Sequence, residues 1–464
     1  MKPRVGILFF AHEWFWSYKM FGSEFLKLLE SDVENIEKNL KSFAEVVSSG
    51  IILNEHQAKE AAKKLMEERV NLIIFCPIVW SSDNTVLASL KELDNTHPLL
   101  IWCYNPYKEL PKKVSVPEMI RATSTVGALQ SASAISRLGK NLIPIVGKED
   151  EVLKDIYEYS IVAKLLDDFK ESKIGLLPWR YGEMVGTWID EAKLLSKLGL
   201  RIIPISVAEL YQFSQELSEN EVNSFIEYLK KNFKIEVSEK SLRISAKASL
   251  ALAKVVERHS LDAIAMQDLD DEMHKLLKTR PSLCVESMLK KGVPVGMEGD
   301  IRGTIGMLIL QRLTGKPTMF GEVFNFDSIN NTLLIGHIGL VNVNLAKDLS
   351  KVKIIPDCEY QFYDEIEGAY MYFTSKEGTV TLLSIVEEKD TFRMVIARGE
   401  SLPVEEKLEG YSHMLIKTDV PVRDFLKTAL KIGATQHWAI VHEDAVSKLE
   451  KFAEIAGLEK TLII

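Results

Sequence analysis

The sequence has 464 residues, which predicts two to four domains at the usual size of about 100 to 200 residues each. Hydrophobic residues make up 46% of the chain and charged residues 27%, which is typical of a globular protein and excludes wholesale disorder or a fibrous repeat. The formal net charge of -9, without long basic runs, argues against nucleic acid or an anionic membrane as the main partner. We therefore expect a small-molecule ligand.

The N-terminal apolar run "VGILFF" is interrupted by His12 and Glu13, and no signal-peptide cleavage site follows it. The longest later apolar run, Leu72 to Trp80, is less than half of the roughly 20 residues that a membrane-spanning helix needs. No C-x-x-C pair is present, which predicts free thiols and a cytoplasmic protein; the cysteines are Cys76, Cys103, Cys284 and Cys358.

The first part of the chain alternates short apolar runs with longer helical patterns, as in "RVGILFF", "FLKLLESDVENIEKNL" and "NLIIFCPIVW". Continuous apolar runs are typical of strands buried on both faces, and helical crossovers between them require a parallel sheet. We therefore predict a doubly wound α/β domain over residues 1–170. Ligands bind at the carboxyl ends of such strands, where the sequence has "AHEWFWSY" and "WSSDNT".

The alternation begins again after "KIGLLPWRYGEM" and predicts a second doubly wound α/β domain over residues 171–320. Its last strand, "GVPVGME", would deliver Glu298 at its carboxyl end. Residues 321–464 then predict a β-rich, antiparallel C-terminal domain. Within it, the runs "GAYMYFTS", "GTVTLLSIVEE" and "TFRMVIARGE" are interpreted as a meander, followed by helix, strand, helix and strand.

No phosphate loop, G-x-G-x-x-G fingerprint, G-x-S-x-G elbow or H-E-x-x-H motif is present, so nucleotide cofactors and common hydrolase mechanisms lack support. Four other residues could meet in space: Glu298, Glu322, His337 and His437. Carboxylates and imidazoles without thiolates suit Mn²⁺, Mg²⁺, Co²⁺ or Fe²⁺ acting on an oxygen substrate. Glycines beside three of these residues would let the backbone approach a ligand closely. Taken singly, a Glu or His at a strand end is more often a surface or salt-bridged side chain than a ligand.

Several segments together resemble the L-arabinose isomerase and L-fucose isomerase superfamily, with the closer likeness on the arabinose side. The resemblance covers nearly the whole chain and is carried mainly by "LLKTRPSLCVESMLKKGVPVGMEGDIRG", "MFGEVFNFD", "LLIGHIG" and "GATQHWAIVHED". It implies an aldose-ketose isomerase in which one divalent metal, usually Mn²⁺, is bound by Glu298, Glu322, His337 and His437. It also implies a homo-oligomer, a trimer or hexamer, in which "AHEWFWSY" lies near another subunit's site.

Moving a carbonyl from C1 to C2 requires a base for a carbon-bound proton and an electrophile that stabilises the enediolate. On this hypothesis, Glu298 and Glu322 take and return the protons, in an order that the sequence leaves open. Asp300 is expected either to orient the backbone that follows it or to pair with Arg302, and to be dispensable.

Two departures from the family pattern concern the substrate. Gln436 stands where arabinose isomerases have a second histidine, and it can bind a sugar hydroxyl but cannot carry a proton near neutral pH. In the loop after the first strand, His12 and Glu13 could contact sugar hydroxyls, and Trp14 or Trp16 could stack on the sugar. Trp80, at the end of a later strand, is a further expected sugar contact. The alternative is that these aromatic residues pack between domains or subunits.

The remaining polar candidates are assigned structural roles. The acids of "MQDLDDEM", from Asp268 to Glu272, are expected in a solvated first helical turn rather than at a metal. His442 either supports His437 or is the polar end of a strand. Surface or capping roles are expected for the other histidines, which are His56, His97, His259, His274 and His413.

The leading hypothesis is thus a metal-dependent isomerase of an open-chain pentose or deoxyhexose. Two alternatives remain: a non-catalytic relative that binds sugar without converting it, and a metal-dependent epimerase or lyase that shares the enediolate. The paired glutamates and histidines favour an enzyme, because a binding protein does not need two glutamates around a metal.

Overall fold

The computed structural model describes residues 2–17, 21–94, 96–109, 112–359 and 368–464. The chain divides into two compact units, residues 1–167 and residues 168–464, which are described separately below. The three predicted domains, 1–170, 171–320 and 321–464, stay a prediction.

The described residues of the first unit form five strands and seven helices, and the last helix continues past the boundary of the unit. The strands are β1 (Arg4–Phe10), β2 (Glu45–Ile52), β3 (Leu72–Pro77), β4 (Leu99–Tyr104) and β5 (Ile143–Gly147). The helices are α1 (Trp14–Ser17), α2 (Gly22–Lys41), α3 (Glu55–Glu67), α4 (Asp83–Leu90), α5 (Val116–Arg121), α6 (Ser124–Ser136) and α7 (Glu149–Phe169).

These strands form one parallel sheet in the order β2-β1-β3-β4-β5, which confirms the predicted doubly wound architecture. Every residue of β3 is buried, as expected for a strand covered by helices on both faces. The strand order reverses between β1 and β3, so the loops after these two strands flank the edge where such sheets bind ligands. His12 and Trp80 lie in those two loops.

The second unit contains the remaining fourteen strands and nine α-helices of the described residues. The strands are β6 (Lys173–Leu177), β7 (Arg201–Pro204), β8 (Lys234–Ile235), β9 (Ala263–Met266), β10 (Val295–Gly296), β11 (Thr318–Asp327), β12 (Thr332–His337), β13 (Lys353–Pro356), β14 (Ala369–Tyr372), β15 (Gly378–Glu387), β16 (Phe392–Leu402), β17 (Ser412–Thr418), β18 (His437–Val441) and β19 (Glu459–Ile463). The helices are α8 (Glu191–Leu198), α9 (Val207–Glu216), α10 (Glu219–Asn232), α11 (Glu239–His259), α12 (Asp271–Leu277), α13 (Glu286–Lys291), α14 (Ile301–Thr314), α15 (Val422–Ile432) and α16 (Val446–Ala456).

A second parallel sheet, in the order β10-β9-β6-β7, confirms the prediction of a second α/β layer. Its helices begin at side-chain caps: Asp270 accepts a hydrogen bond from the Met273 amide, and Asp300 accepts one from the Gly303 amide at 2.9 Å. The short strand β10 ends two residues before Glu298, so this residue lies at the carboxyl edge of the sheet, as predicted.

The C-terminal part forms a seven-stranded, mainly antiparallel sheet in the order β15-β18-β11-β12-β17-β16-β19. Strands β15 and β16 also pair with each other, so six of the strands close on themselves and leave no free edge between them. The predicted β-rich, antiparallel architecture of this part and its closing helix-strand-helix-strand segment are confirmed. Strand β19 joins the sheet in parallel with β16.

The predicted meander is only half correct. Strands β15 and β16 form the expected antiparallel hairpin, but β14 pairs with β13 in a separate three-stranded sheet, β14-β13-β8. The segment after β14 does not turn directly into β15. It bridges instead to neighbouring strands at Thr374 and Ser375, which pair with His413 and Ala346.

The four cysteines are free thiols, and burial raises the pKa of Cys284 to about 12. This agrees with the predicted absence of disulfides. Across the described ranges, no helix is both long enough and apolar enough to cross a membrane.

Candidate active site

Three predicted residues meet at the junction of the two sheets of the second unit. Donor atoms of Glu298, His337 and His437 all lie within 4.8 Å of one another. Oε2 of Glu298 is 3.2 Å from Nε2 of His437, and Oε1 of Glu298 is 3.9 Å from Nε2 of His337. Both imidazoles are buried, whereas the Glu298 side chain keeps 14% of its exposure. One carboxylate therefore faces two imidazoles at a partly open site.

The backbone at the end of β10 turns sharply to present Glu298. Glu298 has a φ of 59°, in the left-handed region that residues other than glycine seldom occupy, and Gly299 follows with a φ of 65°. The Glu298 amide donates to Oδ1 of Asp268 at 2.8 Å, and the Gly299 amide donates to the Met266 carbonyl at 2.9 Å. Strained residues persist where their surroundings hold them, and here two hydrogen bonds do so, one to the last residue of β9 and one to Asp268 just beyond it.

The two histidines lie at the ends of β12 and β18, the two strands that flank β11 in the sheet. His337 is the last residue of β12, and its Nδ1 donates to the Ile338 carbonyl at 2.7 Å. His437 is the first residue of β18, and its Nδ1 lies 2.9 Å from Oδ2 of Asp300. Because each Nδ1 is engaged in this way, each Nε2 is directed toward Glu298. Metal-binding histidines in proteins are oriented by the same kind of hydrogen bond.

Phe320 of β11 packs against both imidazoles, with ring centroids 5.1 Å from His337 and 4.5 Å from His437. It is buried and forms the apolar side of the site. The expectation that the neighbouring glycines let the backbone approach a ligand is wrong for Gly299 and Gly336. A Cβ at Gly299 would lie 2.7 Å from the Trp179 carbonyl oxygen, and one at Gly336 would lie 2.6 Å from that of Ser412. These glycines allow close packing of chain segments instead.

The donor set suits a divalent cation. Oε2 of Glu298 and Nε2 of both histidines are buried and have no hydrogen-bond partner among the described residues. Buried polar atoms without partners are costly, and convergent ones indicate a missing ligand. Burial disfavours the protonated His437 ring, but the carboxylates of Asp300 and Glu298 outweigh burial and raise the pKa of His437 to about 10. A cation bound there would take the place of that proton.

Glu322 of β11 lies directly across the ladder from His437 on one side and Gly336 on the other. Residues opposite each other in antiparallel strands share a face of the sheet, so Glu322 is on the side of His437. Its side chain is half-buried, and its carboxylate is outside the group of donor atoms within 4.8 Å. Its roles as metal ligand and base stay predictions.

The predicted sugar-contacting residues fall in both units. In the second unit, Nε2 of Gln436 donates to Sδ of Met184 at 3.5 Å. In the first unit, the rings of His12 and Trp80 are 5.3 Å apart, and Nε1 of Trp80 donates to Gln130 at 2.9 Å. Glu13 is exposed. Tyr18, the last residue of "AHEWFWSY", lies outside the described residues, and the sugar contacts of this stretch stay predictions.

Asp268 corrects the expectation of a solvated acidic turn. Asp270 does cap α12, and Asp271 and Glu272 are exposed in its first turn, but Asp268 is buried. Its Oδ1 holds the Glu298 amide, and its Oδ2 pairs with the fully buried Arg280.

Arg280 also pairs with Asp357 at 2.8 Å and with Glu359 at 2.7 Å. A buried guanidinium needs such partners because it cannot lose its proton. The sequence carried only a weak signal for this network, a single arginine between apolar residues in "LLKTRPSLC".

Two histidines that were assigned to surface or capping roles are buried instead. Nε2 of His274 lies 2.6 Å from the Asp268 carbonyl oxygen. His413 accepts a hydrogen bond from the Lys407 amide at 3.1 Å. His442 follows β18 and bonds to the Lys376 carbonyl at 2.8 Å, which agrees with a polar strand end rather than with support of His437.

Comparison with known proteins identifies two family segments. Residues 187–315 match the L-arabinose isomerase central domain, and residues 318–459 match the L-arabinose isomerase C-terminal domain, so the two matches cover more than half of the chain. A sulfoquinovose isomerase of Priestia aryabhattai is 22% identical over 402 residues, 85% of this chain and 86% of that protein. An L-arabinose isomerase of Thermotoga neapolitana is 25% identical over 470 residues, 96% of this chain and 92% of that protein.

The contacts of Asp300 argue against the expectation that it is dispensable. Oδ1 accepts from the Gly303 amide, so Asp300 does orient the backbone that follows, while Oδ2 holds His437. Asp300→Asn can keep the cap, because asparagine is a good cap, but its amide NH₂ would then face the Nδ1–H of His437. We expect Mn²⁺ affinity to fall about 10- to 100-fold, as for other groups that orient a metal-binding histidine.

Isothermal titration of Mn²⁺ into the metal-free proteins measures this effect. Asp270→Asn is the matched control, because Asp270 caps α12 in the same way and makes no contact with the imidazoles. Unchanged Mn²⁺ affinity in Asp300→Asn would show that His437 does not depend on this carboxylate.

Proposed function

The chain belongs to the L-arabinose isomerase and L-fucose isomerase superfamily, on its arabinose side, and on that premise we propose that this sugar isomerase is metal-dependent. Its substrate would be an open-chain pentose or deoxyhexose, converted between aldose and ketose through an enediolate. The observation that supports this most directly is the convergence of three buried, unpartnered donor atoms from Glu298, His337 and His437.

Glu298, His337 and His437 would hold the cation together with Glu322 across the ladder. Mn²⁺ is the proposed ion, with Co²⁺ or Mg²⁺ as substitutes, because the donors are oxygen and nitrogen without sulfur. When bound, the cation supplies Lewis acidity toward the oxygens of the reacting carbons. Asp300 and the Ile338 carbonyl keep the two imidazoles turned toward it.

The proton transfers would fall to the two glutamates. Isomerisation removes a proton from the carbon next to the carbonyl and returns one to the former carbonyl carbon, so a carboxylate must lie beside the two reacting carbons. Glu298 would be one such carboxylate, and its left-handed backbone and Asp268 fix its position. Glu322 would be the other, acting from β11, where it lies opposite His437 on the same face of the sheet. The buried Phe320 ring limits access of water to this edge of the site.

The substrate contacts would include Gln436, His12, Glu13 and Trp80, which carry hydrogen-bonding groups suited to sugar hydroxyls. Gln436 directly precedes His437 in the chain, and its amide donates to Sδ of Met184. The partner is thus a small-molecule sugar, and neither nucleic acid nor membrane is part of the proposal.

We further propose a homo-oligomer, a trimer or hexamer, in the cytoplasm. The apolar side chains exposed on α5 and α6 are consistent with a covered surface, and they include Val116, Met119, Val126 and Leu129. We expect sedimentation velocity at micromolar concentration to show an assembly. A monomer with full activity would contradict this.

The reaction itself can be tested with Mn²⁺ and a panel of aldoses and ketoses in deuterated water, followed by NMR. We expect an aldose to give its paired ketose with deuterium bound to carbon, because the base exchanges its proton with solvent. Inversion at one carbon would indicate an epimerase, and carbon-carbon cleavage a lyase. Absence of both product and exchange across the panel would indicate a sugar-binding protein.

Glu298→Gln keeps the size of the side chain but removes both a base and a charged ligand. We expect turnover to fall at least 100-fold at saturating metal, the usual size of the loss of one general base, and Mn²⁺ to bind more weakly. Metal content and turnover are measured on the same sample, and far-UV circular dichroism checks the fold. Glu400→Gln, at an exposed position of β16, is the control. If Glu298→Gln binds Mn²⁺ normally and isomerises at the parent rate, the proposed site is wrong.

A further inference from the structure

Arg302 is a buried cation that the proposed chemistry does not use. It lies in the first turn of α14, two residues after Asp300, and is 7% exposed. Its Nε is buried without a hydrogen-bond partner, and the guanidinium makes no ion pair within the described ranges. An arginine cannot become neutral in a protein, so its charge is present without an ion-pair partner.

The two nearest carboxylates are committed elsewhere. Asp300 and Glu387 both act on Arg302 through space, but burial is the larger effect and lowers the pKa of Arg302. Asp300 uses its oxygens for the Gly303 amide and His437. Glu387 accepts from Nζ of Lys193 at 2.7 Å and from the Asp190 amide at 3.0 Å. Neither carboxylate is therefore free to neutralise the guanidinium.

The Arg302 guanidinium lies close to Gly186 and to Thr435. A Cβ added to Gly186 would lie 3.8 Å from Nη2 of Arg302 and 3.7 Å from Cγ2 of Thr435, so this glycine leaves room beside the guanidinium. Thr435 is two residues before His437. Gln436, between them, contacts Met184, two residues before Gly186. Arg302 therefore lies next to the segment that contains an expected sugar-binding amide, Gln436, and a predicted metal ligand, His437.

We propose that Arg302 binds an anionic sulfonate or phosphate group at the non-reacting end of the sugar. This inference rests on the proposed function and narrows its substrate to a deoxyhexose or pentose with such a group on its last carbon. A guanidinium offers a planar fork of donors that matches these oxyanions, and both form strong charge-assisted hydrogen bonds with it. A neutral hydroxyl would leave the buried charge uncompensated.

The test compares substrates that differ only at the last carbon. A panel of 6-deoxyaldohexoses is assayed with Mn²⁺ beside the matched 6-sulfo and 6-phospho sugars, in the parent protein and in Arg302→Met. We expect the parent to have a higher kcat/KM for an anionic sugar than for its neutral match. In Arg302→Met, the ratio of kcat/KM for the anionic sugar to kcat/KM for its neutral match should fall about 30-fold or more. This is the usual loss when one partner of a buried charge pair is removed.

Arg312→Met is the matched control, because Arg312 lies on the same helix but pairs with Asp262 at 2.7 Å. Its anionic-to-neutral ratio should stay within about twofold of the parent, as expected for an exposed ion pair. The anionic group, sulfonate or phosphate, that gives the larger anionic-to-neutral ratio of kcat/KM in the parent is the one that the site binds. Equal kcat/KM for anionic and neutral sugars in the parent, or an unchanged ratio in Arg302→Met, would overturn the inference and leave the proposed isomerase intact.

A binding measurement separates this inference from failure of the proposed function. The 6-sulfo and 6-phospho alditols cannot isomerise, and they should raise the Tm of the metal-free parent more than the 6-deoxy alditols do. In Arg302→Met and Arg302→Gln, the anionic and the 6-deoxy alditols should raise the Tm by the same amount. Without ligand, both variants should melt at or above the parent Tm, because a buried uncompensated charge has been removed. A lower Tm without ligand, together with an unchanged alditol difference, would show a structural arginine.

Discussion

The carboxylate of Asp300 joins the two sheets on which the site is built. One oxygen caps α14 through the Gly303 amide, and the other holds Nδ1 of His437 at the start of β18. The helix begins at the carboxyl edge of the parallel sheet, while β18 belongs to the antiparallel sheet. A capping aspartate thus sets the position of an imidazole 137 residues away in the chain. The distance between Glu298 and His437 depends on this one side chain.

A second carboxylate does the same for Glu298. Asp268 holds the Glu298 amide, and the buried Arg280 holds Asp268 together with Asp357 and Glu359. Such a network is expensive to bury, and it contributes little net stability compared with an apolar core. Its effect here is geometric: it keeps Glu298 in a left-handed conformation that the isolated chain would leave. Part of the free energy of folding therefore maintains the position of the Glu298 carboxylate.

The sequence was sufficient for the parts of the fold that have strong local patterns. The apolar runs of β1 and β3, the end of β10 before Glu298 and the closing elements from α15 to β19 all follow from periodicity. Strand β14, whose pairing in the predicted meander was wrong, shows where such patterns fail. Its run "GAYMY" indicates a strand correctly, but the choice of β13 as its partner depends on tertiary contacts that periodicity does not encode.

The same limit explains which site residues were found. Glu298, His337 and His437 were indicated by residue type and by resemblance, because ligands must be acids or histidines. Asp300 and Asp268 were given local roles, since an aspartate before a helix is usually only a cap. Their second contacts cross between sheets, and no spacing in the chain announces them. Of the two roles expected for Asp300, the structure shows orientation of the following backbone and not a pair with Arg302, because its oxygens contact the Gly303 amide and His437.

These residues share one arrangement. Each functional side chain is fixed through one atom and left without a partner at another: His337 through the Ile338 carbonyl, His437 through Asp300. Glu298 is fixed through its backbone, so its carboxylate stays free to act. A group held at one atom keeps its direction without losing its ability to bind, whereas a fully paired group would have to break a bond first. Arg302 differs because its buried Nε has no hydrogen-bond partner among the described residues. The unpaired atoms raise the free energy of the ligand-free protein. A ligand that pairs with them removes this destabilisation, and the difference contributes to its affinity.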